Sequence, residues 1–345
     1  MSERRRILLA AGGTGGHMFP ARALAEELMR RGHSIALVTD RRGGGLGQGV
    51  AGLETYRIRA GGLASGDALK RLKGLAALAV GTLQAARLVR RIGADAVVGF
   101  GGYTSVPPAL AAAFSGVPVV IHEQNAVLGR ANRALAGRAL RIATSFDSVS
   151  GLSPRHHSKV QLTGNPVRYA IAALGERPYA APAGDGRRNI LVLGGSLGAG
   201  VFGRVVAEAV ARLPEGLRRR LRISQQCLAD DQVRVAVAYS RLGVAADLAT
   251  FFDDVPERLK EAHLVIARAG ASTVAELMAA GRPAILVPYP RATDDHQRAN
   301  ARALEAAGGS WMEPEPSLTP DKLAELLANL FERPEVLARA AAAAR

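Results

Sequence analysis

Residues 267–301 read ARAGASTVAELMAAGRPAILVPYPRATDDHQRANA and guide the interpretation of the whole chain. The pattern predicts a strand end, a glycine turn, a helix, a second strand at Ala284 to Val287, a loop and another helix. Polar side chains follow both strands: Thr273 and Glu276 after the first, and the run Asp294 to Gln297 after the second. Because loops at successive strand ends of an open α/β sheet face one crevice, this alternation indicates a ligand site.

Glu276 has two interpretations. It lies three residues after Thr273, which is the spacing of a capping box at the start of a helix. A carboxylate near the carboxyl end of a parallel strand can also accept hydrogen bonds from both hydroxyls of a ribose. Asp294 and Asp295 are open to a similar pair of interpretations, as N-caps or as ligand-binding groups.

Composition indicates a globular α/β protein. A chain of 345 residues is long enough for two domains, and 48% hydrophobic with 22% charged residues is typical of a folded chain. The single cysteine, Cys227, cannot form an internal disulfide, so the chain suits a reducing compartment. We find no apolar run near the roughly 18 residues needed to span a bilayer, so we expect a soluble or peripheral protein.

The net charge of +15 predicts an anionic partner. Nucleic acid, anionic lipid and a phosphorylated substrate all satisfy it. Aromatic residues make up only 4% of the chain, which weakens the case for a nucleic-acid-binding surface built on stacking. No His, Cys, Asp or Glu set has metal-ligand spacing, so we expect neither a metal nor another cofactor.

Two glycine loops divide the chain. LLAAGGTGG at 8–16 is echoed by LVLGGSLGA at 191–199, and each follows an apolar run and precedes a helical pattern. Strand, glycine loop and helix together form an anion cradle. The dinucleotide fingerprint fails at Met18, and no Gly-Lys-Ser/Thr is present. The echo predicts two α/β domains, each opening with a glycine loop.

Further strands and polar strand ends lie between these loops. The run Ile121 to Asn125 ends in four polar residues, and Thr163 to Pro166 is typical of a hinge. Strands are predicted at 7–11, 35–39, 96–99, 117–121, 142–145 and 160–162, near 190, 223, 265, 285 and 311, and at 249–252.

The segment LKRLKGLAALAVGTLQAARLVRR at 69–91 places Leu69, Leu72, Leu75 and Ala79 at helical spacing, with cations on both sides. An apolar stripe bordered by cations suits an interface with anionic lipid. The alternative is an ordinary helix whose leucines cover the sheet.

The turn at 270–276, the strand entry at 281–284 and the Asp-Asp-His-Gln run at 294–297 resemble the donor-nucleotide half of the MurG family, the N-acetylglucosaminyltransferases of peptidoglycan precursor synthesis. The similarity extends over nearly the whole chain. It implies two Rossmann-like domains facing a cleft, the GT-B fold. Residues 1–165 would form the acceptor and membrane-facing domain, joined by the C-terminal helix at 336–345, and residues 166–335 would bind the donor.

The reaction implied by this resemblance is inverting transfer of N-acetylglucosamine from UDP-N-acetylglucosamine to the 4-hydroxyl of undecaprenyl-diphospho-N-acetylmuramoyl pentapeptide (lipid I), giving lipid II. The implied location is the cytoplasmic face of the bacterial cell membrane, on anionic lipid. The implied mechanism is metal-free.

The resemblance also implies roles for individual residues. Glu276 would hold the uridine ribose, the backbone of Phe252 would read uracil, and Ser196 and Arg168 would hold the diphosphate. Gln297 and Asn125 would contact the donor sugar. His296 stands where the family also has glutamine, which leaves its role open. The remaining donor residues are Ser272, Thr273, Thr14, Gly15 and Gly16.

The acceptor diphosphate would be held by the loops at 13–16 and 101–102, with Gly13, Gly101, Gly102, Tyr103 and Thr104 as its residues. His17 is the candidate base, because a histidine at a helix N-terminus is biased toward the neutral form that accepts a proton. It is otherwise a polar residue of a first helical turn.

Three rival classes of protein are also compatible with parts of the sequence. Another UDP-sugar enzyme of the same fold, such as a glycolipid glycosyltransferase or a 2-epimerase, would share the donor half. It would lack the Gly-Gly-Tyr-Thr-Ser and His-Glu-Gln-Asn loops. A NAD-dependent dehydrogenase is disfavoured by the failed fingerprint. A nucleic-acid-binding protein fits the charge but shows no recognised module.

Overall fold

Short apolar runs bounded by glycine or proline form the strands of two parallel sheets. The computed structural model describes residues 3–12, 15–40, 50–61, 68–195 and 200–345. The chain divides into two units, Met1–Arg168 and Tyr169–Arg345. The predicted domain boundary at residue 165 and the joining of residues 336–345 to the first domain stay predictions.

The described part of the first unit forms one parallel sheet with helices on both faces. Its strands are β1 Arg6–Ala10, β2 Ser34–Thr39, β3 Glu54–Arg57, β4 Ala96–Gly99, β5 Val119–Glu123, β6 Arg141–Thr144 and β7 Val160–Leu162. Its helices are α1 Gly15–Arg30, α2 Ala68–Ile92, α3 Gly102–Phe114 and α4 Arg130–Leu135, with a 3-10 turn at Pro154–Lys159. The strand order is β3-β2-β1-β4-β5-β6-β7, so the order reverses between β1 and β4.

Burial on both faces explains why the central strands β1, β2 and β4 are almost continuously apolar. Leu8 packs in a cluster with Leu88 and Val89 of α2, whereas its neighbour Leu9 packs on the other face with Met18 of α1. Successive side chains of a strand point to opposite faces, so a strand covered on both sides needs apolar residues at every position.

The second unit repeats this architecture. The strands in its described part are β8 Arg188–Leu193, β9 Leu221–Gln226, β10 Ala245–Ala249, β11 Leu264–Ala267, β12 Ala284–Leu286 and β13 Ser310–Met312. The helices are α5 Tyr169–Ala172, α6 Gly200–Arg212, α7 Glu215–Arg218, α8 Ala229–Arg241, α9 Val255–Glu261, α10 Ala271–Ala280, α11 His296–Ala306, α12 Pro320–Glu332 and α13 Pro334–Ala344. Three 3-10 turns lie at Ala173–Glu176, Thr293–Asp295 and Glu315–Ser317. The order β10-β9-β8-β11-β12-β13 reverses between β8 and β11, and α13 packs against α10 and α12.

Some sequence-based boundaries are wrong. The strand predicted at 249–252 ends at Ala249, so Phe252 lies in the following loop. The sequence does not predict strand β3, because three of its four residues are exposed and the strand follows no apolar run. Helix α1 begins at Gly15, inside the predicted loop at 8–16, since Gly15 and Gly16 already belong to the helix.

Helix α2 contains the stretch Leu72–Ile92, which is long and apolar enough to cross a membrane by length and composition. This corrects the expectation that no run approaches that length. Its Ala85, Leu88 and Val89 nevertheless pack into the core of the first unit. A helix side buried against its own sheet is not available to lipid, so the packing favours a core helix over a membrane span.

Candidate active site

Two helix N-termini lie at the carboxyl edge of the first sheet, where the strand order reverses. Strand β1 leads into α1, and its neighbour β4 leads into α3. Neither helix has an acidic residue in its first turn. Ligands of open α/β sheets bind at such switch points, and unpaired N–H groups at helix N-termini attract anions. The edge therefore has the electrostatics of a phosphate site.

The imidazole of His17, in the first turn of α1, lies against the turn formed by Gly101 and Gly102. Both glycines have positive φ, 84° and 69°. A Cβ on Gly101 would lie 3.3 Å from His17 Cε1, and one on Gly102 would lie 3.4 Å from His17 Cδ2. The structure thus brings the candidate base together with two of the residues predicted to hold the acceptor.

Thr104 fixes the first glycine loop from the side of α3. Its hydroxyl donates to Asp40 Oδ2 at 3.1 Å, and its side chain is buried. A Cβ on Gly12 would lie 2.4 Å from Thr104 Oγ1, so only glycine fits there. The Thr104 side chain is therefore committed to packing, and any contact with an acceptor would use its backbone. Tyr103 is half-buried in the same turn.

A chain of buried hydrogen bonds connects His17 to the end of strand β5. His17 Nδ1 lies 3.2 Å from Gln124 Oε1, and Gln124 Nε2 lies 3.0 Å from His122 Nδ1. The other ring nitrogen of His122, Nε2, lies 3.0 Å from the carbonyl oxygen of Gly164. Burial lowers the pKa of His122 and outweighs the opposing effect of its bond to Gly164, so its ring is neutral at neutral pH.

Glu123 organises the segment after β5. Its Oε1 accepts from the backbone and side-chain amides of Asn125, and its Oε2 accepts from Gly129 N–H and Asn132 Nδ2. A buried carboxylate needs such donors, since an unpaired buried charge is costly. These bonds hold Asn125, which is predicted to contact the sugar of the donor substrate, at the same edge of the sheet as Gln124.

The second unit has a matching switch point between β8 and β11. The backbone N–H of Gly194 donates to Gln226 Oε1 at 3.0 Å, which ties the second glycine loop to β9. Beside it, the buried Arg268 donates to the carbonyls of Val287 and Pro288 and pairs with Glu315 at 2.5 Å. Arg268 thus braces the ends of the two strands whose loops carry most of the predicted donor residues.

Helix α10 begins earlier than the capping interpretation requires. Its N-cap is Gly270, no side chain caps it, and Glu276 is the sixth helical residue. A capping box needs its acid at the third position, so the interpretation of Thr273 and Glu276 as a capping box is wrong. Ser272, in the first turn, has a buried hydroxyl without a hydrogen-bond partner in the described structure. Such a group is typical of a site that a ligand completes.

The segment before α11 is strained. Asp294 and Asp295 both have positive φ, 52° and 51°, which residues with a side chain seldom adopt. The interpretation of these carboxylates as N-caps is wrong for Asp295, because it occupies the N-cap position without capping and pairs with Arg298 at 2.8 Å. This backbone path directs the next two side chains.

Those two side chains, His296 and Gln297, are each oriented by one backbone contact. His296 Nδ1 donates to the Thr293 carbonyl at 2.7 Å, and Gln297 Oε1 accepts from Tyr289 N–H at 2.9 Å. These two contacts use neither the Nε2 atom of His296 nor the NH2 group of Gln297, and both can face a ligand. One turn further, the buried Asn300 donates to the Ala269 carbonyl and fixes the loop before α10.

Phe252 lies in the loop after β10, at the same edge of the second sheet. Its ring is buried under the guanidinium of Arg258, 3.7 Å from the ring centroid, and Arg258 pairs with Asp247 and Asp254. The side chain is therefore packed inward, so a contact from Phe252 to a base would come from its backbone, as predicted.

The predicted residues fall into two groups, one at each sheet edge. The first unit holds His17, Gly101, Gly102 and Asn125 together, with Gly15 and Gly16 as the first residues of α1 and Arg168 as the unit's last residue. The second unit carries Phe252, Ser272, Thr273, Glu276, His296 and Gln297 at its own edge. Gly13, Thr14 and Ser196 lie outside the described residues.

Sequence reasoning missed the residues that act through buried contacts. These are His122, Glu123, Gln124, Asn132, Arg268 and Asn300. The run of four polar residues ending β5 was a usable signal for three of them. Nothing in the sequence marks Asn132, Arg268 or Asn300, because each is positioned by a contact with a different element.

Two doubly wound Rossmann-like units, each with a candidate site at its switch point, define the class of two-domain sugar-nucleotide enzymes with the GT-B fold. The model of the glycosyltransferase family 28 N-terminal domain matches residues 7–144, and that of the C-terminal domain matches residues 189–345. The chain therefore belongs to glycosyltransferase family 28, and within it to the MurG family, as its relatives and a solved structure show.

Two relatives illustrate that similarity. The chain is 54% identical over 344 residues to the UDP-N-acetylglucosamine–N-acetylmuramyl-(pentapeptide) pyrophosphoryl-undecaprenol N-acetylglucosamine transferase of Paramagnetospirillum magneticum, covering 100% of this chain and 93% of the relative. It is 56% identical over 338 residues to the enzyme of the same name from Rhodospirillum centenum, covering 98% and 89%.

Solved structures agree on the fold. The crystal structure of Acinetobacter baumannii MurG superposes with a TM-score of 0.78 at 30% identity, covering 99% of this chain and 94% of that one. A UDP-GlcNAc 2-epimerase from Neisseria meningitidis reaches a TM-score of 0.65 at 13% identity, covering 97% and 94%. At that identity the likeness extends to the fold alone.

Proposed function

We propose that this chain transfers N-acetylglucosamine from UDP-N-acetylglucosamine to the 4-hydroxyl of lipid I, with inversion, and so forms lipid II for peptidoglycan synthesis. The observation that carries the proposal is identity above one half, over almost the full length, to transferases named for this reaction. The two switch-point edges support it, because one offers a base beside anion-binding helix ends and the other offers oriented sugar and ribose ligands.

The donor binds at the second unit in this proposal. Glu276, in the second turn of α10, accepts hydrogen bonds from the ribose hydroxyls. The backbone of Phe252, after β10, forms hydrogen bonds with the uracil base. The loop at 195–199 and Arg168 neutralise the diphosphate. Gln297 donates a hydrogen bond from its NH2 group to the sugar, since its carbonyl oxygen already accepts one from Tyr289 N–H.

The chemical step needs a base, an electrophile and a stabilised leaving group. As the acceptor oxygen bonds to the anomeric carbon, its proton passes to His17 Nε2. The bond from that carbon to the diphosphate oxygen breaks, and its electron pair leaves with UDP. Attack opposite the leaving group inverts the anomeric centre. Helix N-terminal N–H groups and Arg168 stabilise the developing charge without a metal.

Helix α2 supports a location at the membrane, where the proposed acceptor resides. Leu72, Leu75 and Leu83 are 64%, 53% and 62% exposed, while the sheet is covered by other residues of the same helix. This exposure contradicts the alternative that these leucines cover the sheet. Lys73 lies between Leu72 and Leu75, and Arg87 and Arg90 follow the exposed stripe, all at the surface. We infer that this side of α2 rests on anionic lipid at the cytoplasmic face.

Radiolabel transfer tests the reaction. UDP-N-acetylglucosamine labelled in the sugar is incubated with a water-soluble lipid I analogue, with and without EDTA. We expect a labelled disaccharide product at the same rate in both. Conversion of the donor to an epimer without transfer would instead place the chain among the 2-epimerases, and loss of activity in EDTA restored by magnesium would refute the metal-free mechanism.

A further inference from the structure

A series of buried hydrogen bonds runs from Gly164 through His122 and Gln124 to His17, and the donor and acceptor of each bond can be assigned. It begins at the Gly164 carbonyl, which can only accept, so His122 Nε2 carries the proton of that 3.0 Å bond. His122 is 4% exposed, and burial lowers its pKa, so the ring is neutral and its Nδ1 is a bare acceptor.

The orientation of the Gln124 amide follows from this. Its nitrogen lies 3.0 Å from His122 Nδ1 and 3.1 Å from the His122 carbonyl oxygen. Both of these atoms are acceptors, so the NH2 group must face them, and the opposite amide orientation would set oxygen against oxygen. Gln124 Oε1 therefore faces His17, and Gln124 is only 1% exposed, so water cannot replace these contacts.

Gln124 Oε1 can only accept, so the His17 Nδ1 that lies 3.2 Å away must carry a proton. A neutral imidazole has one N–H, and the Nε2 of His17 is then left with its lone pair. A lone pair at Nε2 is the state that a general base requires.

We propose that His122 and Gln124 are positioning residues that hold His17 in the Nδ1–H tautomer, with Nε2 as the proton-accepting atom. The inference rests on the proposed function only in naming His17 as the base. The order of donors and acceptors from Gly164 to His17 stands without it. Gln124 sets both the tautomer and the direction of the ring, as the partner of a catalytic histidine does in other active sites.

The direct test is nitrogen NMR of the full chain with ¹⁵N-labelled histidine, in which the two tautomers give different ring-nitrogen shifts. His17 is assigned by loss of its signals in His17→Ala. We expect the neutral His17 ring to be the Nδ1–H tautomer in the wild type. The Nε2–H tautomer there would overturn the proposal, and this measurement needs neither activity nor any substitution at Gln124.

Gln124→Leu removes the acceptor and keeps a side chain of similar volume. We expect a mixed tautomer at His17 and a fall in kcat of roughly tenfold to a hundredfold, with the KM for UDP-N-acetylglucosamine nearly unchanged. The matched control is Gln225→Leu, a fully buried glutamine of the second unit that accepts from Tyr239 and donates to Phe202. It should lose comparable stability and leave the His17 shifts unchanged.

The outcomes separate the two proposals. A wild-type Nδ1–H tautomer that persists unchanged in Gln124→Leu would refute the role of Gln124. The expected tautomer together with normal turnover in His17→Ala would leave the positioning chain in place and remove His17 as the base of the proposed reaction.

Discussion

Glu276 is the residue on which donor binding depends most in the proposed function. Glu276→Ala should lower the affinity for UDP-N-acetylglucosamine by at least a hundredfold, because two charge-assisted hydrogen bonds contribute about 1.5 to 3 kcal/mol each. The free energy of unfolding should change by less than about 1 kcal/mol, since Glu276 is in the second turn of α10 and does not cap it. Calorimetric titration and urea unfolding of the same variant measure both quantities.

The control for this experiment is Glu325→Ala, which removes an exposed carboxylate from α12 of the same unit. It should leave donor affinity unchanged. Donor affinity equal in both variants would show that Glu276 does not touch the ribose.

His17 separates chemistry from donor binding. His17→Ala should reduce turnover on the order of 10² to 10⁴, the usual contribution of a general base, while the dissociation constant of UDP-N-acetylglucosamine stays nearly the same. Donor affinity should be nearly unaffected because most of the proposed donor ligands, Glu276 and Gln297 among them, belong to the second unit. Single-turnover rates and equilibrium titration of the variant provide the comparison. Unchanged turnover would remove His17 from the mechanism.

The left-handed backbone before helix α11 predicts that glycine is more stabilising than alanine at residue 295, the reverse of their order inside a helix. A residue with a side chain in the left-handed region costs about 1 kcal/mol relative to glycine. Asp295 has φ of 51°, so Asp295→Gly should be more stable than Asp295→Ala by about 1 kcal/mol. Both lose the same exposed pair with Arg298, which cancels in the comparison. Urea unfolding of the two variants measures the difference.

The exposed Arg302, within α11, provides the matched pair. At this position Arg302→Ala should be more stable than Arg302→Gly by about 1 kcal/mol, because glycine is a poor helix former. The same order at both positions would mean that the left-handed backbone at residue 295 does not persist in solution.

A strand could be predicted from the sequence where its own residues determine it, and could not where contacts with other elements determine it. The strands around Ile7, Ile35 and Val97 are apolar because both faces of the sheet are covered, so their composition alone marks them. The edge strand β3 is mostly exposed, so its composition does not mark it as a strand. The exposed strand β10 was likewise misplaced, because the aromatic pair Phe251 and Phe252 suggested a strand. Phe252 is instead buried by stacking under Arg258, a contact that sequence does not show.

The candidate site could be predicted in its parts but not in its connections. Glycine loops and polar strand ends predict His17, Gly101 and Asn125 as site residues, since each lies in the segment that follows a strand. Their supports come from other elements. Gln124 meets His17 across 107 residues of chain, and Asn300 reaches Ala269 across 31. Only the folded chain brings such donors and acceptors together.

At the scale of the molecule, buried histidines predict a loss of stability in acid. Burial lowers the pKa of His122 in the first unit and of His263 in the second, where Arg188 and Arg282 lower it further. The unfolded chain takes up these protons as the pH falls through about 6.5, whereas the folded chain does not until its lower pKa is reached. The contribution of these two histidines to the free energy of unfolding is therefore fully present above about pH 6.5. It decreases below that pH, by at most about 1.4 kcal/mol per pH unit for each histidine.

Urea unfolding from about pH 5 to about pH 8 measures this dependence. His122→Gln should reduce the slope by close to one proton. Equal slopes in His122→Gln and the wild type would show that His122 takes up its proton to the same extent in the folded and the unfolded chain.

The net charge of +15 and the exposed apolar side of α2 together predict salt-dependent binding to anionic vesicles. A basic residue near such a surface contributes about 1 kcal/mol, so replacing Lys70, Arg71 and Lys73 together by glutamine should weaken binding roughly a hundredfold at low salt. Activity on a water-soluble acceptor should survive, because none of the three residues is assigned a role in the proposed reaction. The control has the same change in net charge at three exposed arginines of the second unit, Arg219, Arg222 and Arg241. If both triple variants sediment with vesicles equally, net charge alone drives association, and α2 is not the docking surface.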